Sequence, residues 1–241
     1  MPDTTHTSLD YPPTRKKGKP IRDSIRSLAA GWLATDDRDV ALQRFFEPFA
    51  RLGCTNSAML LPNAVATAIC SLDGHDLRVL TEVQFEVPSP SPTWSPVRKR
   101  LDLVIIPRDS DPPKRAVAIE IKATMEFNPM AAALVEFVLL TKSQMVQFIP
   151  RRQAGIGPWS TSSAGIKCLT LSCYDHEDIR PVLQMMNREL WPDGRTVEHH
   201  NLFFTRESRK AVEEMSTHGS VAESVRLLMR DIRDWCCPAA T

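Results

Sequence analysis

The sequence predicts an α/β protein, a mixed β-sheet flanked by helices, with a helical extension at the C-terminal end. Three observations carry this. Leu77–Val87 and Arg100–Thr124 alternate with the period of two that marks strands, and Ile166–Tyr174 is a further short apolar stretch. Helical segments, Asn63–Ser71 and Asn128 to about Ile149, are interleaved with those strands, an order that layers helices onto a sheet. At 241 residues and 42% hydrophobic content, the chain can bury one sizeable core, or a core plus a small appendage.

In chain order, residues 1–20 read as a flexible tail, rich in Pro, Thr and Lys, whose basic run Arg15–Lys19 can touch phosphates. A main domain then runs over residues 21–195, and residues 196–241 form a strand and helical hairpin packed on it. The Leu77–Val87 strand puts Leu77, Val79, Val83 and Phe85 on one face and Arg78, Glu82, Gln84 and Glu86 on the other. In RLDLVII and AVAIEIKAT apolar residues again alternate, and the intervening PRDSDPPK is dense in turn-forming residues, so the two strands form an antiparallel hairpin. Pairing Ile106 with Ala116 and Val104 with Ala118 sets Asp102 directly against Glu120, with Lys122 on the same face.

Asn128-Pro129 reads as an N-cap and first helical position, opening a mostly apolar helix that runs to about Ile149, before Pro150. After the Ile166–Tyr174 strand, Asp178–Leu190 reads as a helix broken by Trp191-Pro192-Asp193-Gly194. Asn201–Thr205 is then a short strand, Glu207–Met215 a helix, His218-Gly219-Ser220 a turn, and Val221–Trp235 an amphipathic helix. Strand, helix, glycine turn and helix together resemble a ribbon-helix-helix unit, a dimeric DNA-binding module. A helical hairpin closing over the sheet is the preferred arrangement.

Two carboxylates about 5 Å apart at their Cβ atoms repel unless a positive charge sits between them. Mg²⁺ suits such a pair, because it takes one or two carboxylates, keeps several waters and completes its shell with substrate phosphate oxygens. A lysine beside the pair can hold a water or neutralise charge developing on a phosphate. An isolated Glu-x-Lys on a strand is most often a solvated pair. Against that reading, the strand from Ala116 to Ala123 is otherwise small and apolar, as a strand covered on both faces would be.

At these residues the chain resembles the PD-(D/E)xK nuclease superfamily, whose signature is a strand-borne Asp, a variable gap, then Glu-x-Lys on the next strand. Here it reads Asp102, a gap of seventeen residues, then Glu120-Ile121-Lys122. The proline common before the Asp is replaced by Leu101. The resemblance implies a restriction endonuclease-like αβββαβ core, with Asp102, Glu120 and the Ile121 carbonyl as metal ligands and Lys122 positioning the attacking water. It implies Mg²⁺ as cofactor, with Mn²⁺ able to substitute. Gln144 and Phe148, four apart on the expected helix, are reminiscent of the Gln-x-x-x-Tyr element of the RecB-like branch, with phenylalanine for tyrosine. The same spacing also fits a helix with its polar side in water. Glu82 or Glu47 could add the extra acidic ligand some members carry, Glu82 being preferable because its neighbouring strand carries Asp102.

The runs Arg98-Lys99-Arg100 and Arg151-Arg152 stand where phosphates flanking a cleaved bond would lie, and an ordinary solvated rim is the equal alternative. A net charge of +1 argues against indiscriminate coating of nucleic acid, though not against a nuclease. No stretch of about 18 apolar residues suggests a membrane span, and the first twenty residues lack the apolar core of a secretory signal. Cys54, Cys70, Cys168, Cys173, Cys236 and Cys237 show no zinc-finger or Cys-x-x-Cys spacing, pointing to a reduced cytoplasm. His199-His200 reads as surface histidine at the head of a short strand. The expectation is a cytoplasmic Mg²⁺-dependent deoxyribonuclease, an endonuclease of the restriction or phage-defence kind, acting as a homodimer. Its rival is a non-catalytic DNA-binding or protein-interaction module with a nuclease-like core.

Overall fold

In the computed structural model, the described residues are 61–73, 76–88, 95–122, 127–151, 155–174, 179–190, 197–204 and 220–238. The first sixty residues, with the expected tail and Glu47, Arg152, and residues 205–219 with their expected helix lie outside them. Helices α1 (Leu61–Asp73), α2 (Phe127–Lys142), α3 (Ile179–Leu190) and α4 (Ser220–Cys236) surround strands β1 (Leu77–Val87), β2 (Val97–Pro107), β3 (Ala116–Lys122), β4 (Met145–Ile149), β5 (Trp159–Ser162), β6 (Ile166–Tyr174) and β7 (Val197–Phe204). The strands form one mixed sheet in the order β5-β4-β1-β2-β3-β6-β7. β1, β2 and β3 pair antiparallel, while β6 runs parallel to β3 and β7 parallel to β6. The class is therefore α/β, with a seven-stranded open sheet between helices.

The alternation in the sequence explains the layering. Val104, Ala118, Cys168 and Val197 occupy matching positions on four neighbouring strands, and all belong to a core shared with Leu134, Phe137 and Leu140 of α2 and Leu183 of α3. Residues of the opposite parity, among them Leu103, Ile105, Val117, Ile119 and Leu169, are equally buried. They lie toward the other layer, where α1 contacts β1 and β2, and α4 contacts β2, β3 and β7. Burial on both faces is why the central strands read as near-continuous apolar runs. At the β7 side, the Asn187 carboxamide of α3 completes the edge of the strand: its Nδ2 donates to the Val197 carbonyl at 3.1 Å, and its Oδ1 accepts from the Val197 N–H at 2.9 Å.

The structure corrects the sequence reading in three places. α2 begins at Phe127 and stops at Lys142, so Gln144, Gln147 and Phe148 are not helical; Met145–Ile149 is the strand β4. The Thr141 and Ser143 hydroxyls donate back to the carbonyls of Phe137 and Leu139, both at 2.7 Å, at the last turn of the helix. Beyond it Val146 and Phe148 alternate inward, and Phe148 stacks on Trp159 with ring centroids 5.0 Å apart. No Gly or Pro marks the change, so one apolar run spans two periodicities. β5, which pairs with β4, had no expectation attached to it. β7 starts at Val197 instead of Asn201, which places His199 and His200 within the strand, and the His200 side chain is only 14% exposed instead of lying at the surface.

Candidate active site

The β2–β3 register pairs Leu103 with Ile119, Val104 with Ala118 and Ile105 with Val117. Extended by one residue, it sets Asp102 against Glu120, as the hairpin argument requires. There the ladder changes character. The Asp102 N–H donates to Glu120 Oε1 at 3.2 Å, and the Ile121 N–H donates to Asp102 Oδ2 at 2.8 Å, so each carboxylate takes a backbone donor from the opposite strand. Beyond Ile119 no residue of β3 pairs with β2 among the described residues, although β3 stays paired with β6 as far as Lys122.

The neighbouring β1–β2 ladder is interrupted at the same level. Thr81 pairs with Leu103 and Val83 with Leu101, and the pair that would join Glu82 to Asp102 is missing. Glu82 sits at φ 53°, a left-handed conformation that side-chain-bearing residues adopt only when their surroundings hold them there. The core positions of β1 change parity across it, from Leu80 to Val83, Phe85 and Val87. The carboxylates thus occupy a break in the sheet.

Burial dominates the electrostatics. Glu120 is 4% exposed and its carboxyl is pushed up to about 7, first by desolvation and then by the charge of Asp102, despite Lys122 Nζ at 2.8 Å from Oε2. Desolvation also raises Asp102, opposed by the Ile121 hydrogen bond and the Lys122 charge. For Lys122, burial alone would lower the ammonium, but Glu120, Asp102 and Glu136 outweigh it and hold it above its ordinary value. The only cation hydrogen-bonded to the pair among the described residues is this lysine, and the acids remain high because burial outweighs its charge.

Glu136 is the member that sequence reasoning missed. It lies on α2 within the apolar stretch Met130–Leu140, and its charge acts on Asp102, Glu120 and Lys122. Burial raises its own carboxyl, and Lys99 Nζ of β2 lies 3.8 Å from its Oε1. An acid at the centre of an otherwise apolar helical stretch was the available signal; it could be read only once α2 was placed over β3.

The other expected residues are distributed around this centre. Arg98, Lys99 and Arg100 are exposed on β2 and, with Gln84, line an open depression; Arg98 pairs with Glu86 across the β1–β2 ladder. Arg151 pairs with Glu82, so both are engaged with each other. Gln144 stands exposed in the α2–β4 turn, where its carbonyl accepts from the Ser163 N–H at 3.2 Å. The Ile121 side chain is buried. The sequence matches no protein-family model and no curated protein.

Proposed function

We propose that the chain is a metal-dependent endonuclease that hydrolyses DNA phosphodiesters at Asp102, Glu120 and Lys122, in the manner of the PD-(D/E)xK superfamily it resembles. The observation that carries this reading is the meeting of two carboxylates across β2 and β3, Glu120 buried and Asp102 half-buried, both raised by desolvation and with Lys122 hydrogen-bonded to Glu120. The order helix, three antiparallel strands, helix and parallel strand supports it as well. It is the order the resemblance implies, with β4 and β5 inserted.

The donor set suits a hard divalent ion. Asp102 and Glu120 offer carboxylate oxygens, the Ile121 carbonyl is one residue away, and Glu136 adds a further acid from α2. Mg²⁺ or Mn²⁺, when bound, supplies Lewis-acid polarisation of a phosphate oxygen and lowers the pKa of its water. The chain's own residues do the rest. Lys122 presents an ammonium that orients a nucleophilic water and offsets charge growing on the phosphate. Lys99 and Arg100, at the exposed end of β2, hold flanking phosphates. Glu120 must lose the proton it keeps near neutrality before it can serve as a ligand, so metal uptake releases a proton. A homodimer would bring two such centres to the two strands of a duplex.

Nicking of supercoiled plasmid in Mg²⁺ or Mn²⁺, stopped by EDTA and by Glu120→Gln, is the expected result. A folded protein that shifts DNA equally with and without EDTA and never nicks it would favour the binding-module reading instead.

A further inference from the structure

On the opposite face of the sheet, three potential ligands converge that no part of the nuclease reading uses. Glu198 and His200 are two apart on β7 and share a face; the register puts them opposite Leu169 and Leu171, away from the α2 layer and toward α4. Asp231 comes from α4 itself, and one ligand atom from each residue lies within 4.8 Å of the other two. From these we infer a second metal centre: a divalent transition-metal ion of the Zn²⁺ class, bound by Glu198, His200 and Asp231, fastening α4 to the edge strand β7.

Two further features favour an ion over a simple polar contact. His200 Nε2 is fully enclosed, and its one neighbouring acid among the described residues within ion-pair distance is Asp231, whose Oδ2 lies 3.0 Å away. A ring nitrogen enclosed this close to a carboxylate either donates a proton to it or shares a cation with it, and the second carboxylate within reach favours the cation. Lys167 Nζ reaches Glu198 Oε1 at 3.1 Å, and among the described residues the charges that act on the enclosed imidazole are those of Asp231, Glu198 and this lysine.

The geometry asks little of the side chains. Zinc bonds of about 2.0–2.2 Å bring donor atoms to roughly 3.3 Å from one another, so closing the set takes side-chain movements of about an ångström. One nitrogen and two carboxylate oxygens from three rigidly placed backbone sites suit Zn²⁺ or Co²⁺, with water completing the shell.

The test uses the full chain carrying Asp102→Asn and Glu120→Gln, which disables the centre on the other face, so the outcome is independent of the nuclease reading. Titrated with Zn²⁺, this parent should take up one equivalent, and Co²⁺ should give ligand-field absorption without thiolate charge transfer, separating the centre from the cysteines. His200→Ala or Asp231→Asn, with helical circular dichroism retained, should weaken Zn²⁺ binding at least 100-fold. Absence of Zn²⁺ uptake by the folded parent at micromolar metal would overturn the inference. So would unchanged affinity in whichever of the two variants folds.

Discussion

Between Leu103 and Ile105 the β2–β3 pair is ordinary strand pairing with both faces buried, whereas one residue further, at Asp102 and Glu120, carboxylates take over the backbone N–H groups. At the first end the strands pair residue by residue and the side chains contribute burial. At the second, the carboxylates accept from the backbone N–H groups and carry charge in a largely desolvated place. The difference teaches where a reactive group can be afforded: a sheet tolerates buried acids only where its ladder opens and offers them donors. The break at Glu82 and the end of pairing beyond Ile119 make that opening.

The hardest test of the contrast is chemical. Asp102→Asn and Glu120→Gln keep an oxygen acceptor for the opposing N–H, so the fold should survive, while Mg²⁺-dependent nicking should fall at least ~10³-fold because a metal ligand is lost. Normal turnover in either variant, with circular dichroism unchanged, would end the assignment. Lys122→Ala should cost ~10²–10³ in the single-turnover rate, the loss typical of one oxyanion-stabilising donor. Calorimetry should show Mg²⁺ affinity undiminished, because a competing cation has left the pair. Glu136→Gln should weaken metal binding roughly 10–100-fold, as for an outer partner of a metal site. Metal affinity equal to wild type would show Glu136 to be only the counter-charge of Lys99.

The two ends should also respond oppositely in stability. Glu120 ordinarily titrates at 4.5 and is held at about 7 in the fold. A carboxyl raised on folding contributes stability that is fully present below pH 4.5 and is lost as pH rises through 7. Urea unfolding of the metal-free protein should therefore lose on the order of 2–3 kcal/mol from this group between pH 4.5 and 8. Glu120→Gln should lack that decline and be the more stable protein at pH 8, and a parallel decline in both would show the carboxyl to be unstrained. Val104→Ala, at the dry end, should destabilise by about 2 kcal/mol at every pH with nicking unchanged once the protein is folded.

Much of this was determined by the sequence alone. A period of two in RLDLVII and AVAIEIK, with a turn-rich connection, forces one register, because a slip of one residue would turn buried side chains into water; Asp102 opposite Glu120 follows. The bounds of Leu77–Val87 and Ile166–Tyr174 were legible for the same local reason, but the single alternation expected along Leu77–Val87 fails at Glu82, where the core positions shift from Leu80 to Val83 and leave Val79 only half-buried. What only the tertiary structure decided are the features that join distant segments or depend on partners. The run from Met130 to Ile149 divides into helix and strand because β1 and β5 offer ladders to Met145–Ile149, which periodicity within the run cannot reveal. Glu136 acquires its meaning from α2 lying over β3, and His200 from α4 covering β7. Local alternation specifies which face a side chain takes; burial, charge and the pairing of residues remote in sequence decide what that side chain meets there.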